Sequence, residues 1–350
     1  MLKRWRKIKL TEFEFSQLII NSEVVLQRSN TVVFTPNNTG PNWLGIKNAT
    51  INMFPNEYLL LPQSYSSSLL SKEQTIKFLS LLKEKGAQFI IFSGLPDYTL
   101  EWIQEVHKLD IKIGVIFHGG QSEFTNNSSK QKQMSQILSL VKKGVIVRVG
   151  VVKKGLKESL EHLTKIKIHK LTPVSIKSKD IEIKKFSDKK IHIGVFGNAS
   201  FNKNRHTQVL AASLIENSQI HVISPNEFSY AVDNSRIITH NNLNKENFLK
   251  LLGSMDINLY VSYSESWGQV ITESISMGVP CLASNNSGVF DSNETLKSAL
   301  LVSDYDNPYE IAKKIKSVLR MNLKEEYEAF IESLNNEAKS LVQEFKNSRP

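Results

Sequence analysis

Short runs of apolar residues alternate with longer segments of helical periodicity through the first half of the chain. The apolar runs predict buried strands at residues 31–35, 58–61, 88–92, 112–117 and 145–152. Segments in which apolar residues recur every three to four positions predict helices at 72–85, 100–108, 130–141 and 156–163. Apolar strands that alternate with amphipathic helices are typical of a parallel sheet that is covered on both faces.

The pattern stops at a polar, lysine-rich stretch, which predicts a linker over residues 176–190, and then starts again. Further strands are expected at 191–196, 220–224, 237–238, 257–261 and 280–284, with helices at 205–216, 245–253 and 270–277. We therefore predict an α/β fold with two doubly wound, Rossmann-like domains that face each other across a cleft. Ligands of such sheets bind at the carboxyl ends of the strands.

The predicted domains are a first Rossmann-like domain at 31–175 and a second one at 191–322, followed by a C-terminal helix at 323–350. Residues 1–30 form an N-terminal extension that opens with a basic cluster, Lys3, Arg4, Arg6, Lys7 and Lys9. Apolar residues accompany this cluster, which is a pattern found at peripheral membrane contacts. The alternative is an extension that simply packs on the first domain.

Composition and charge narrow the class of protein. Hydrophobic residues make up 40% of the chain and charged residues 22%, which is an ordinary globular composition. The single cysteine, Cys281, excludes a disulfide framework, and neither a signal peptide nor a membrane-spanning apolar run is visible, so we expect a cytoplasmic protein. The net charge of +10 attracts phosphate groups, but aromatic residues do not interleave with the basic ones, so nucleic acid is not expected.

The segment 260–284 carries the clearest chemistry. An apolar strand ends near Ser262, a loop of small residues follows, and a helix is predicted to begin at Gln269, just after Gly268. The unpaired amides and the dipole of a helix start form a site for a diphosphate, and a glycine lets the backbone approach it closely. Glu265 precedes this helix and Glu273 lies one turn into it, where their carboxylates could accept hydrogen bonds from sugar hydroxyls.

This segment, with two glutamates separated by seven residues, the glycine after Trp267 and the following Gly278-Val-Pro280, resembles the signature of retaining glycosyltransferases of the GT-B fold, especially family 4 (glycosyltransferase group 1). The resemblance implies that Glu265 contacts hydroxyls of the donor sugar and that Glu273 holds the ribose hydroxyls of the nucleotide. The implied donor-binding set is Gly197, Arg205, Glu265, Trp267, Gly268, Gln269, Val270 and Glu273.

A second landmark lies upstream, where a strand ends at Gly197 and a basic residue opens a helix. It is similar to the part of the family pattern in which a cation neutralises the charge that develops on the leaving diphosphate. Arg205 is the better candidate for this cation and Lys203 the second. The sequence departs from the family pattern at Asn198, where relatives often have a basic residue directly after the glycine.

The first domain matches the family only in outline. His118, which follows a predicted strand, is the candidate for a histidine that faces the donor sugar, and the catalytic candidates are thus His118, Arg205, Lys203 and Glu265. Gly119 and Glu123 are expected on the acceptor side. A loop that bears Gly40 follows the first strand and occupies the position where relatives approach the diphosphate or acceptor, although it lacks their double glycine.

We interpret the chain as a metal-independent, hexosyltransferase-type enzyme that moves a sugar from a nucleoside diphosphate sugar to an acceptor hydroxyl with retention. We expect UDP-sugars rather than GDP-sugars as donors, and no cofactor. The expected acceptor is a glycan or lipid-linked glycan of bacterial surface polysaccharide synthesis. The protein itself would then associate with the inner face of the membrane. Asp304-Tyr-Asp306 matches a metal-binding pattern of another transferase fold, but it reads here as a surface turn. The alternatives are a non-catalytic GT-B subunit or glycan-binding partner of another transferase, and a sugar-nucleotide epimerase.

Overall fold

A computed structural model describes residues 10–37, 41–62, 69–125, 127–175, 181–223, 228–241 and 243–348, with only the backbone of residues 41 and 42. The chain divides into two compact units. The first contains residues 1–173 together with 338–350, and the second contains residues 174–337. The basic cluster at 3–9 and Gly40 lie outside the described residues.

The first unit is a parallel sheet covered by helices. Its strands are β1 (Thr31–Pro36), β2 (Tyr58–Leu61), β3 (Phe89–Ser93), β4 (Lys112–Phe117), β5 (Arg148–Val151) and β6 (Ile168–Lys170). Its helices are α1 (Glu12–Leu26), α2 (Pro41–Met53), α3 (Lys72–Glu84), α4 (Thr99–Lys108), α5 (Ser128–Lys142) and α6 (Leu156–Thr164). The strand order is β2-β1-β3-β4-β5-β6, so the direction of winding changes between β1 and β3.

Aromatic rings fill the space between this sheet and its helices. Phe34 of β1 lies with its ring centroid 5.5 Å from the rings of both Phe92 and Trp102, each nearly edge-on. Phe78 of α3 contacts the same group, and all four side chains are almost completely buried. Edge-to-face pairs of this kind add to the stabilisation that comes from burying apolar area.

Helix α1 occupies much of the predicted N-terminal extension. Thr11 and Glu14 form a capping box at its start, and the side chains of Phe15, Leu18 and Val25 are buried in the first unit's core. The helix therefore packs on the sheet as part of the first unit.

The second unit is also a parallel sheet of six strands. They are β7 (Ile191–Val195), β8 (Ser218–Ile223), β9 (Ile237–His240), β10 (Ile257–Tyr260), β11 (Cys281–Ser284) and β12 (Leu301–Val302), in the order β12-β11-β10-β7-β8-β9. The helices are α7 (Arg205–Ser213), α8 (Lys245–Ser254), α9 (Gln269–Ser276), α10 (Glu294–Leu300), α11 (Pro308–Val318) and α12 (Lys324–Asn347). Both units therefore confirm the predicted doubly wound α/β architecture.

Helix α12 starts in the second unit, and its last turns belong to the first. There, the Arg148 guanidinium lies over the ring of Phe89 and donates to the carbonyls of Lys346 and Ser348, which are at the end of the helix. Lys346 also pairs with the largely buried carboxylate of Glu57. A cation at a helix C-terminus stabilises the last carbonyls of the helix, so Arg148 fixes where α12 ends.

Three predictions about local structure need correction. The loop predicted after β1 is helical from Pro41 onward, because proline at the first helical position needs no hydrogen-bond partner for its nitrogen. The strand predicted over 145–152 covers only Arg148–Val151, and β9, predicted over 237–238, extends to His240.

Within the described residues, we found no helix with the length and apolar character needed to cross a membrane.

Candidate functional site

The candidate site of the second unit lies where its strand order reverses. Strand β7 pairs with β8 on one side and with β10 on the other, so the loops that follow β7 and β10 flank a crevice at the carboxyl ends of the strands. Two hydrogen bonds join these loops: Tyr263 N donates to Asn202 O at 2.9 Å, and Asn202 Nδ2 donates to Ser264 O at 3.1 Å. The loops therefore form one connected surface.

Gly268 sets the start of α9. Its φ of +81° lies in the left-handed region, which favours glycine, and a Cβ there would also push against Cδ1 of Ile271 at 2.7 Å. Helix α9 begins at the next residue, Gln269, and its first turn presents the amides of Gln269 and Val270 at the crevice. The structure thus has a helix start at Gln269 and Val270, where the sequence predicted the anion site.

Trp267, just before this glycine, is 5% exposed. Its indole N–H has no hydrogen-bond acceptor among the residues that the structure describes. A buried donor without an acceptor is costly, so this group is one that a bound ligand could satisfy.

Both glutamates of the signature contact lysines. Glu265 pairs with Lys203, which lies in a short 3-10 helix after β7, and the two side chains are 9% and 14% exposed. Glu273 pairs with Lys245, the first residue of α8. The side chain of Glu273 is 15% exposed. Burial raises the pKa of Glu273, and the neighbouring Lys245 ammonium opposes that rise.

The two cations predicted for the leaving diphosphate occupy different environments. Lys203 lies on the surface of the crevice, where a Cβ on Gly197 would approach the Cβ of Lys203 to 2.9 Å. Arg205 opens α7 but is only 3% exposed, and its guanidinium lies 5.4 Å from the ring centroid of Phe228. Burial lowers the pKa of Arg205 from its ordinary value. The structure thus puts Lys203 beside Glu265 and gives Arg205 a buried setting in the same loop.

Two polar residues that sequence reasoning missed hold the loop after β7 in place. Asn204 has a left-handed φ of +50°, and its amide donates to Val261 O at 3.1 Å and to Tyr305 O at 2.7 Å. Gln208 accepts from Val261 N at 2.9 Å and donates to Lys203 O at 2.7 Å. Asparagine tolerates a left-handed turn, but the partners of Asn204, just after β10 and after β12, are distant in sequence.

Lys245 is the third residue that was missed. It is separated from Glu273 by a strand and a loop, so nothing in the local sequence announces their contact. Only the packing of α8 beside α9 brings the two side chains together.

The first unit contributes a separate group around His118, which follows β4 and is 8% exposed. Its Nε2 is 2.9 Å from Ser93 Oγ, which is 2.6 Å from Thr50 Oγ1, and Thr50 in turn donates to Ile46 O at 2.8 Å. Because Thr50 uses its proton on the carbonyl, Ser93 donates to Thr50 and His118 Nε2–H donates to Ser93. This order leaves Nδ1 of His118 as an acceptor.

Burial lowers the pKa of His118 to about 4, so its imidazole is neutral at ordinary pH. Gly119 and Glu123 accompany it. A Cβ on Gly119 would approach the Glu123 carboxylate to 2.4 Å, so only glycine lets Glu123 fold back against the end of β4. The first unit therefore offers a neutral acceptor and a carboxylate.

The Asp304-Tyr-Asp306 stretch forms hydrogen bonds within the second unit. Asp306 accepts from Tyr263 OH at 2.5 Å, and Asp304 accepts from Asn307 Nδ2 at 2.9 Å. The side chain of Asn307 caps α11. Across the described ranges, no group of three or more histidine, cysteine or acidic side chains is arranged to hold a metal ion.

The comparison with protein families supplies the identification. Residues 176–336 match the family model described as glycosyl transferases group 1, which covers nearly all of the second unit. The second unit is thus similar to the group 1 glycosyl transferases. The resemblance predicted from the glutamates, Gly268 and the following Gly-Val-Pro is thereby confirmed. A comparison with curated protein sequences found no match.

Several solved structures of glycosyltransferases share the fold of the whole chain. A UDP-forming α,α-trehalose-phosphate synthase from Burkholderia xenovorans has a TM-score of 0.63 at 11% identity, covering 91% of this chain and 99% of that chain. The E. coli trehalose-6-phosphate structure bound with UDP-2-fluoro glucose has a TM-score of 0.61 at 13% identity, with the same coverage. Anabaena Alr3699/HepE in complex with UDP and glucose has a TM-score of 0.60 at 12% identity, covering 89% and 99%. At these identities the likeness shows the fold, and the GT-B prediction is confirmed.

Proposed function

We propose that the protein is a retaining glycosyltransferase that moves a sugar from a nucleoside diphosphate sugar to an acceptor hydroxyl. The observation that carries this proposal is the crevice of the second unit, where one lysine-paired, largely buried glutamate precedes a helix that starts after a glycine and a second lies one turn into it. Acids accept hydrogen bonds from hydroxyl groups, and a helix start binds a diphosphate. A nucleoside diphosphate sugar presents hydroxyls, then a diphosphate, then hydroxyls again.

Each part of the donor is assigned to one group of residues in the crevice. Glu273 accepts the ribose hydroxyls, the amides of Gln269 and Val270 receive the diphosphate, and Glu265 accepts hydroxyls of the transferred sugar. The indole N–H of Trp267 supplies one further donor beside the same helix start. UDP is the favoured nucleotide, and GDP is the second candidate.

Departure of the diphosphate requires positive charge near the breaking bond. Lys203 already lies against Glu265, so its ammonium can move toward the phosphate once the sugar hydroxyls occupy the carboxylate. Arg205, together with the α9 dipole, adds positive potential from the same loop region. Because these groups supply the charge that a metal provides in other transferases, we expect the reaction to need no divalent cation.

The first unit contributes the groups expected to face the sugar and the acceptor. Nδ1 of His118 accepts a hydrogen bond from a donor-sugar hydroxyl, and the neutral ring avoids repelling the positive charge that develops on the sugar during transfer. Gly119 and Glu123, which lie against each other, are proposed for the acceptor side. With the acceptor and the leaving group on the same face of the sugar, the anomeric configuration is retained.

For the cellular setting, we propose synthesis of a surface polysaccharide on the cytoplasmic side of the membrane. The support is the basic cluster at residues 3–9, which suits the phosphate of a lipid-linked acceptor or an anionic leaflet. Nucleic acid is not a proposed partner.

A thermal-shift screen against UDP-, GDP- and ADP-sugars tests the donor assignment, since a ligand that binds only the folded state raises the melting temperature. The ligand that does so is then incubated alone and with candidate glycans, and the products are followed by mass spectrometry and by the anomeric proton coupling. Transfer with retention supports the proposal. Binding without turnover would favour the non-catalytic subunit, and a changed sugar without acceptor would favour an epimerase.

A further inference from the structure

Lys245 is the one lysine of α8 whose contact reaches the signature glutamates. It is the first residue of the helix, its Nζ lies 5.9 Å from the ring centroid of Phe248, and it pairs with Oε1 of Glu273. A cation is disfavoured at a helix N-terminus because it opposes the helix dipole. The position of Lys245 therefore does not serve α8 itself, and the contact with Glu273 explains it.

Glu273 needs such a partner. Its side chain is only 15% exposed, and this partial burial raises its pKa, which favours the neutral, protonated carboxyl. A protonated carboxyl is a poorer acceptor for two hydroxyl groups than a carboxylate is. The ion pair engages Oε1, and among the described residues we find no hydrogen bond to Oε2.

We propose that Lys245 is a positioning residue for nucleotide binding: it keeps Glu273 ionised and fixes its carboxylate so that the remaining oxygen accepts the ribose hydroxyls. This inference rests on the proposed function, because it requires Glu273 to bind ribose. It assigns no contact between Lys245 and the nucleotide itself. The effect of Lys245 should therefore pass entirely through the ribose hydroxyls.

The same helix contains a matched control. Lys250 pairs with Glu246 one turn away, at 2.6 Å, and both side chains are well exposed. An exposed pair of this kind contributes little, so Lys250→Met removes a lysine and its ion pair from α8 without touching Glu273. Lys245→Arg keeps the positive charge and tests whether the charge is what matters.

The inference is tested by measuring the affinities of UDP and of 2′,3′-dideoxy-UDP, which lacks the ribose hydroxyls, by calorimetry at several pH values between 6 and 8. Each variant is first shown to be folded by its melting curve. If the screen selects GDP, the matching guanine pair replaces these probes. We expect Lys245→Met to weaken UDP binding by about 10-fold at pH 8 and by more at pH 6, as Glu273 takes up a proton. Binding of the dideoxy probe should hardly change, Lys245→Arg should recover most of the affinity, and Lys250→Met should match the parent protein.

Equal weakening of UDP and the dideoxy probe in Lys245→Met would overturn the inference, because it would mean that Lys245 contacts the phosphates or the base. Unchanged UDP binding would overturn it as well and would leave the proposed function standing. If the parent protein itself bound neither nucleotide, the proposed function would fail first, so the two failures can be told apart.

Discussion

The candidate residues at the carboxyl edges of the two sheets differ in charge. In the second unit, Lys203 pairs with Glu265 and Lys245 pairs with Glu273 around the start of α9. In the first unit, the hydrogen bonds from His118 through Ser93 to Thr50 join uncharged groups, and the imidazole is neutral. Under the proposed function, the ion pairs of the second edge receive a charged, hydroxylated nucleotide, whereas the neutral hydrogen bonds around His118, beside the Glu123 carboxylate, receive hydroxyls of the sugar. Both units have the same doubly wound architecture, so the residues that follow the strands, and not the sheet itself, account for the difference in charge.

The largest effect should come from the charged edge. Replacing Glu273 by Gln keeps the shape of the side chain but removes its charge, and we expect nucleotide affinity to fall about 100-fold because two charge-assisted hydrogen bonds weaken. Glu265→Gln should leave nucleotide affinity nearly intact and lower kcat for transfer instead, since Glu265 is assigned to the sugar. Calorimetry with UDP and initial rates of transfer measure the two effects. Parent-like values in both variants would end the site assignment.

The next effect concerns a property that the two units share, namely histidines whose pKa is lowered by burial: His118 in the first unit, and His221 and His240 in the second. In the second unit, His192 donates to Asp188, His221 to His192 and His240 to His221, with distances of 2.7, 2.8 and 2.9 Å. Burial, followed by the neighbouring histidines, lowers the pKa of His221 to about 3. Two other ionisable groups lie close to these histidines: Asp256 Oδ2 accepts from the backbone N–H of His192 at 2.8 Å, and Lys190 Nζ donates to Gln219 at 3.0 Å.

Because His118, His221 and His240 take up protons near pH 6.5 in the unfolded chain but only at lower pH in the folded chain, their contribution to stability should be full above about pH 6.5 and should fall steadily below it. Urea unfolding at pH 7.5, 6.0 and 5.0 measures this slope. His221→Gln removes one titrating ring and should flatten it, while the control His162→Gln, on an exposed part of α6, should leave it unchanged. A parent protein with the same stability at all three pH values would contradict the neutral histidines.

A smaller effect is expected from the neutral edge. His118→Phe removes the Nδ1 acceptor, and we expect the transfer rate to fall about 10-fold with nucleotide affinity unchanged, since one neutral hydrogen bond is lost. Ser93→Ala keeps the ring but frees its Nε2–H, so its effect should be weaker. Steady-state kinetics with a fixed donor separate kcat from KM. A loss of UDP binding in His118→Phe would show that the first edge also holds the nucleotide and would erase the contrast between the units.

The smallest effect should follow from removing divalent cations. If Lys203, Arg205 and the start of α9 supply the positive charge as proposed, treatment with EDTA should leave the transfer rate within about twofold of its value with added Mg²⁺. The assay compares dialysed protein with and without Mg²⁺ or Mn²⁺. Strict dependence on either cation would mean that the lysines do not neutralise the leaving diphosphate.

Much of the fold could be predicted from sequence because its strands are buried on both faces. Runs such as 89–93 and 112–117 contain almost only apolar residues, and this pattern needs no knowledge of neighbours. Helix α1 was missed although its capping box at Thr11 and Glu14 was visible, and α2 was missed because a glycine and few apolar positions weaken its periodicity. The division of α12 between the two units depends on Arg148, Glu57 and Phe89, which lie far away in sequence.

By itself, the sequence determined the doubly wound architecture, the resemblance of the second unit to group 1 glycosyl transferases and the spacing of Glu265, Gly268 and Glu273, since these features depend on local periodicity, backbone freedom and short spacing. Only the tertiary structure decided which lysine meets which glutamate, how Asn204 and Gln208 hold the loop after β7, and which nitrogen of His118 remains an acceptor. The physical reason is that a charge or a proton takes its state from the groups that surround it in space. Those groups come from separate strands and helices, and the order of the strands in the sheet brings them together.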